Sequence, residues 1–253
     1  MGTSLRCLAW LIFALASSEL AAASGFAVTP FSTAMPGTAL PAPWRLSLLP
    51  NVKRATQYDL VADAGTVVLR AQADASMASV VHPLHLDARS FPVIAWRWKI
   101  GNVLQKSALG SKAGDDFPAR VYVLFDYDVG RLSLFERAKI YLARRRYGPE
   151  IPAAALCYVW DSKGPVGASL WSPYTDRVRV VVVESGSRHL NQWRDEQRDL
   201  AADFRAAFGE NPPAISGVAV ATDTDNTGES ASALFGDIRL LGVRDQGSEI
   251  RDR

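Results

Sequence analysis

Asp223-Thr224-Asp225-Asn226-Thr227-Gly228-Glu229 is the stretch whose side chains are best placed to do chemistry. Two carboxylates and an amide fall within four positions. Carboxylates this close repel one another unless a cation or hydrogen-bond donors meet them. The stretch therefore reads as a cation site, a ligand site or a hydrogen-bonded corner. Acids at its first and third positions and Gly at the sixth share part of the vocabulary of a calcium loop. An EF-hand needs a bidentate acid at the twelfth position, which here is Leu234. A non-helical calcium corner and a turn capped by side-chain to backbone hydrogen bonds both stay open.

Asp115-Asp116 forms a second acidic pair, just ahead of a β-prone run. Neighbours on an extended chain point to opposite sides, so the pair alone makes a poor catalytic couple. Asp116 facing Asp223 or Asp225 across a cleft would serve better as acid and base. Three runs carry cations opposite their apolar rows: Arg97 and Lys99, Arg120 beside Tyr122, and Arg177 with Arg179. On neighbouring strands these would form one face of cations and aromatics suited to a carboxylated, sulfated or phosphorylated ligand, since Arg meets planar oxyanions with two parallel bonds. Cross-strand charge pairing on a solvated sheet is the competing reading. Nucleophilic catalysis has little support. There are three His, no Gly-x-Ser-x-Gly elbow and no phosphate-cradling Gly loop.

The elements that must position these groups are short strands. Tyr58–Ala62 and Thr66–Ala73 flank a turn at Asp63-Ala64-Gly65. Ser79–Leu86 is broken by Pro83, which suits an edge or bulge. In Pro92–Ile100, Ile94, Trp96, Trp98 and Ile100 share one face; Ala119–Asp126 alternates likewise. Arg177–Glu184 is apolar on both faces over Val180–Val183, the mark of a strand covered on both sides. Ala214–Thr222 and Ala233–Gly242 bracket the acidic loop. Two helices are expected, Arg131–Arg146 and Gln192–Phe208. The second would carry Trp193, Leu200, Phe204 and Phe208 on one face, with Asn191 as N-cap and Gly209 as stop. The fold class that follows is mostly β, an antiparallel jelly-roll-like β-sandwich with two inserted helices.

Residues 1–23 read as a signal peptide. Arg6 is followed by an apolar core, Leu8–Ala16, and by Ala21-Ala22-Ala23 as a cleavage site. That core is far shorter than the roughly 20 residues of a spanning helix, so no transmembrane segment is expected after cleavage. An exported, periplasmic protein follows. Residues 24–43 form an extended lead-in, 44–242 a single domain and 243–253 a charged tail. The net charge of +2 argues against nucleic acid as a partner. Cys157 is the only cysteine of the mature chain, so an intramolecular disulfide is excluded and the core must hold the fold.

Several segments together resemble a bacterial domain-of-unknown-function family, number 3047 (DUF3047). They are Ala95-Trp96-Arg97-Trp98-Lys99, Lys112–Val123 with Gly-Asp-Asp-Phe-Pro-Ala-Arg, Tyr158-Val159-Trp160, Val180–Gly186, Trp193–Gly209, and Ile215–Ile238 with Asp-Thr-Asp-Asn-Thr-Gly. The likeness spans Trp44 to Gly242 and brings no established reaction. A looser resemblance, to jelly-roll carbohydrate-binding modules, lies in Val218–Ala221 and Phe235-Gly236-Asp237-Ile238. It implies a ligand groove and a structural calcium ion, with Asp237 joining Asp223 and Asp225 as ligands. The expected function is a β-sandwich module binding a glycan or another anionic, hydroxyl-rich ligand through Asp116, Arg120, Asp223, Asp225 and Asn226, with Arg97, Lys99 and Tyr122 alongside. A glycan hydrolase or lyase using an Asp pair, and a structural or assembly protein of the envelope, are the alternatives.

Overall fold

The alternating runs build two facing sheets. The computed structural model describes residues 26–50, 52–147 and 151–242. In chain order the strands begin with β1 (Phe26–Ala27), β2 (Arg45–Ser47), β3 (Gln57–Asp63), β4 (Thr66–Asp74) and β5 (Ser79–Leu86). β6 (Val93–Ile100), β7 (Ala119–Phe125), β8 (Ala155–Asp161), β9 (Ser169–Ser172) and β10 (Thr175–Ser185) follow. The last are β11 (Arg194–Asp199), β12 (Ile215–Ala221), β13 (Ser230–Phe235) and β14 (Arg239–Leu241). Helix α1 (Leu134–Tyr147) joins β7 to β8, and α2 (Leu200–Phe208) joins β11 to β12.

The first sheet runs β1-β14-β6-β13-β4-β3, with β11 on the other side of β6; the second runs β2-β5-β12-β7-β8-β10-β9. The chain is a mostly-β sandwich with two inserted helices. One pairing departs from the antiparallel expectation: β8 and β10 are parallel.

The core lies between the sheets and follows from the two-residue side-chain period. β6 sends Ile94, Trp96, Trp98 and Ile100 inward, and β8 sends Leu156, Tyr158 and Trp160 to meet them. Trp96 stacks on Tyr158 at 5.3 Å between ring centroids, and Trp98 lies 6.0 Å from Trp160. A smaller apolar cluster, Phe117, Cys157, Val159, Val180 and Val182, covers the outer face of the second sheet, with Leu109 and Ala168 packed against it. Segment 101–118 is thereby laid across that face. This explains why β8 is buried along its whole length and why Val180–Val183 is apolar on both sides. Cys157 is a buried free cysteine, and burial pushes its thiol up to about 12.

Pro83 lies where β5 extends past its β2 pairing, opposite a bulge in β12. Val28 and Phe31 of the lead-in join the core. The expected strand Ala233–Gly242 is two strands, because the chain bends at Gly236. There a Cβ would sit 2.6 Å from Cγ of Arg97, and the Gly236 N–H donates to the Arg97 carbonyl. The expected helix Gln192–Phe208 is also two elements. Residues 194–199 pair with β6 in full register, and α2 starts at Leu200. Its N-cap is Asp199, which accepts from Ala202 N at 2.8 Å, rather than Asn191; Gly209, at φ 74°, ends it as expected. The signal-peptide and tail segments lie outside the described residues.

Candidate functional site

Segment 101–118 delivers Asp115 and Asp116 to the start of β7, and the β12–β13 turn delivers Asp223 to Glu229 to the same place. Arg120, on β7, stands between them. Its Nε donates to Asp223 Oδ1 at 2.8 Å, and a second guanidinium nitrogen reaches Asp223 Oδ2 and the Asp115 carbonyl. Phe117 N donates to Asp223 Oδ1 at 3.1 Å. Arg120 is 5 % exposed and Asp223 4 %. The pair is a two-pronged ion pair inside the protein.

Asp116 is fully buried and turned the other way. Its Oδ2 accepts from Thr227 N at 2.6 Å, and its Oδ1 accepts from the Asn226 side chain at 3.0 Å and from Asn226 N at 3.3 Å. Both oxygens are thus spent on holding the turn. Gly228, at φ 69°, closes it, donating its N–H to the Thr224 carbonyl. Thr224 in turn ties to Ser76 through Thr224 N and Oγ1, and Glu229 accepts from the N–H groups of Gln105 and Lys106 at 2.9 and 2.8 Å. The acidic loop is a braced corner.

Its outer edge is different. Asp225 and Asn226 are exposed. Tyr174, from the β9–β10 turn, is 51 % exposed and donates to Asn226 Oδ1 at 2.9 Å and to the Lys112 carbonyl at 3.0 Å. Lys112 Nζ lies 5.5 Å from the centre of the Tyr174 ring. Asp225, Asn226, Lys112 and Tyr174 form a solvent-facing rim on the buried ionic base.

Four carboxylates share one guanidinium here, and the electrostatics follow. Burial pushes Asp223 up to about 7, against the pull of Arg120. Although Asp225 is exposed as a residue, partial desolvation of its carboxyl against the corner, with the neighbouring Asp116, holds it above the usual carboxylate range; burial raises Asp115 as well. One oxygen each from Asp116, Asp223 and Asp225 lies within 4.8 Å of the others, a spacing that the ligands of one calcium ion can span. Asp237 is not among them. It is at the far end of β13, about 20 Å along the strand. There its two oxygens accept from Ser32 N at 3.0 Å and Ser32 Oγ at 2.5 Å. As a ligand beside Asp223 it is ruled out by that separation.

The expected single basic face is also corrected. Arg97 and Lys99 project from the outer face of the first sheet, Arg120 and Tyr122 from the outer face of the second. Arg97 lies 4.5 Å over the Trp193 ring, and Lys99 bonds to both oxygens of Asp63 at 2.8 Å. Trp193 Nε1 donates to the same carboxylate at 2.8 Å, so Trp193 lies on the outer face of the first sheet. Tyr122 packs against the Cys157 cluster. Arg177 lies 4.4 Å over Tyr127, and Arg179 lies 5.0 Å over Trp171. These residues are engaged locally, Lys99 by a carboxylate, Arg97, Arg177 and Arg179 by rings and Tyr122 by an apolar cluster, which is not a general set of cross-strand charge pairs on a solvated sheet.

Two further features escaped the sequence reading. A groove of about 720 Å³ runs along the outer face of the first sheet, lined by Gln57, Gln72, Asn102, Ser230 and Ser232 with Arg54 and Asp74 at its edge. The register Gln57↔Gln72↔Ser232 places those three side by side. Only strand alignment reveals such a row. At the β10–β11 edge, Arg194 Nε donates to Glu184 Oε1 at 2.7 Å and Trp98 Nε1 to Glu196 Oε1 at 3.3 Å. Burial, with Glu184 adding to it, pushes Glu196 up to about 7.

Among curated proteins, none matches this chain. Solved structures with a similar arrangement include the glycoside hydrolase domain of Spr0440, Endo-D, from Streptococcus pneumoniae R6, at 12 % identity and a TM-score of 0.33. That match covers 78 % of this chain and 21 % of the other, so this chain spans about a fifth of its length. The carbohydrate recognition domain of Emp47p is 11 % identical, covering 86 % of this chain and 95 % of that one, with a TM-score of 0.42. The cellulose induced protein Cip1 is 12 % identical, covering 81 % and 95 %, with a TM-score of 0.34. Similarity at this level says nothing about activity. The family model described as "Protein of unknown function (DUF3047)" matches residues 42–239, well over half of the sequence, and the chain belongs to that family.

Proposed function

We propose that this is an exported, periplasmic β-sandwich that binds a glycan or another anionic, hydroxyl-rich ligand at the rim of the braced corner. The observation that carries the reading is the division of labour in the 223–229 loop. Asp223 and Thr227 are sunk and bonded, while Asp225 and Asn226 face solvent beside an exposed tyrosine. A rigid base holding polar groups and an aromatic ring at fixed positions lowers the ordering cost of binding. Asp225 and Asn226 exchange hydrogen bonds with hydroxyls, Lys112 meets acidic groups, and the open face of Tyr174 stacks on a ring. Asp116, Arg120 and Asp223 support the rim and do not touch the ligand. The same bonds leave Asp116 ill placed as a general acid or base, which counts against a hydrolase or lyase built on it. They give weight to the envelope-structural alternative, in which the corner only fixes the fold.

A second location is favoured by the amide and hydroxyl groove on the first sheet, whose volume admits a small sugar. Calcium is a separate proposal, resting on the spacing of the three carboxylates. Thermal unfolding of the mature protein separates these readings, because whatever binds only the folded state raises the midpoint. A midpoint raised by one class of glycan, and lost with Tyr174→Ala but kept with Gln72→Ala, supports the rim. The reverse pattern supports the groove, and a rise with calcium that EDTA reverses assigns the metal. No shift with any glycan would overturn the binding proposal and leave the envelope-structural reading.

A further inference from the structure

Helix α1 carries two opposite faces. Ser133 and Glu136 cap its start reciprocally, with Ser133 N donating to Glu136 Oε2 at 3.0 Å and Glu136 N to Ser133 Oγ at 3.3 Å. Ile140 anchors it against Leu132 and Ala153. Away from that contact, Leu134, Phe135, Tyr141 and Leu142 are 83, 70, 63 and 62 % exposed. At about 100° per residue, these four and the exposed Ala138 fall within an arc of about 120°, which Arg145 joins in the last turn, where its long side chain can reach back to the headgroups. A folded protein seldom leaves so many large apolar side chains on one helix face without a partner for them.

The charge carried by this helix and the residues leading into it is one-sided, although two of the bases have acidic partners, Arg131 with Glu210 at 2.7 Å and Lys139 with Asp176 at 3.7 Å. From Arg131 to Tyr147 there are six basic residues and one acid, Glu136. That is +5 in a chain whose total is +2, which leaves the remaining residues at −3. Arg137, Lys139 and Arg145 are exposed, and Lys139 Nζ lies 4.7 Å from the centre of the Phe135 ring.

We propose that the exposed face of α1 docks on an anionic phospholipid bilayer. Fourteen residues make a helix of about 21 Å, too short to cross the ~30 Å hydrocarbon layer. A helix of this kind lies in the interface, with Leu134, Phe135, Tyr141 and Leu142 among the acyl chains and the cations at the headgroups. A second copy of the chain is a worse occupant, since a two-fold contact would set this cluster of bases against itself. The seven residues of β7 span about 23 Å, with the braced corner before its first residue and α1 after its last. A docked molecule therefore holds the rim away from the membrane.

The test is flotation of the mature protein with vesicles of phosphatidylcholine plus phosphatidylglycerol, and with phosphatidylcholine alone. The protein should float with the anionic vesicles, less so as salt is raised. Binding should fall about tenfold in a Phe135→Ser/Leu142→Ser variant and by a similar factor in a Lys139→Glu/Arg145→Glu variant. All four positions are exposed, and an unchanged unfolding midpoint checks that each variant is folded. Wild-type protein that ignores the anionic vesicles, or variants that bind as well as wild type, would overturn the proposal. So would a dimer seen by sedimentation that the Phe135→Ser/Leu142→Ser variant dissolves.

Discussion

Removing the Arg120 side chain leaves Asp223 buried without its ion-pair partner. Loss of one member of such a pair costs about 3–5 kcal/mol, because the remaining charge stays out of water. Arg120→Met should therefore destabilise the protein by that amount in urea unfolding. Adding Asp223→Leu should restore most of the loss, since a buried pair replaced by apolar groups is close to neutral. A single variant as stable as wild type would contradict the assignment of Arg120 to the base. Asp115, Asp116, Arg120 and Asp223 were all legible as a polar cluster, since their types and their places beside strands are plain. Their direction was not. Asp116 is satisfied by N–H groups of Asn226 and Thr227, more than a hundred residues away in sequence, and backbone donors leave no trace in residue type.

β11 shows where local pattern and tertiary pairing part company. Trp193, Leu200, Phe204 and Phe208 recur at helical spacing, yet residues 194–199 are a strand. Pairing with β6 along its whole length satisfies one edge of that backbone, and alternation puts Arg194, Glu196 and Arg198 toward the interior. β5, β6 and β7 were legible because one wall of each is apolar and two-residue alternation has no helical equivalent. The inward turn of Glu196 has a consequence for pH. Its carboxyl is raised from 4.5 to about 7, so the folded state holds a proton that the unfolded state has released. The stability it contributes is fully present below pH 4.5 and is lost as pH rises through about 7. The difference in unfolding free energy between wild type and Glu196→Gln should therefore turn against wild type across that window. A pH-independent difference would show that Glu196 titrates like an exposed glutamate.

At the scale of the molecule, the sandwich sets three surfaces apart: the rim before β7, the amide-lined groove on the first sheet, and the basic apolar helix beyond β7. Strand count and turn signals point to a sandwich, whereas the separation of Arg97 and Lys99 from Arg120 depends on which sheet each strand joins. That choice is made by long-range packing, through contacts such as Trp96 on Tyr158, rather than by any local run. In the binding mode proposed above, a buried ionic base presents Asp225, Asn226 and Tyr174 to a hydroxyl-rich ligand. Calorimetric titration with a glycan that raises the unfolding midpoint tests it most directly, on wild type and on an Asn226→Ala/Tyr174→Ala variant. Wild type should bind saturably, and the variant should lose about tenfold or more in affinity while keeping most of its stability. Equal affinity for the two proteins would contradict it.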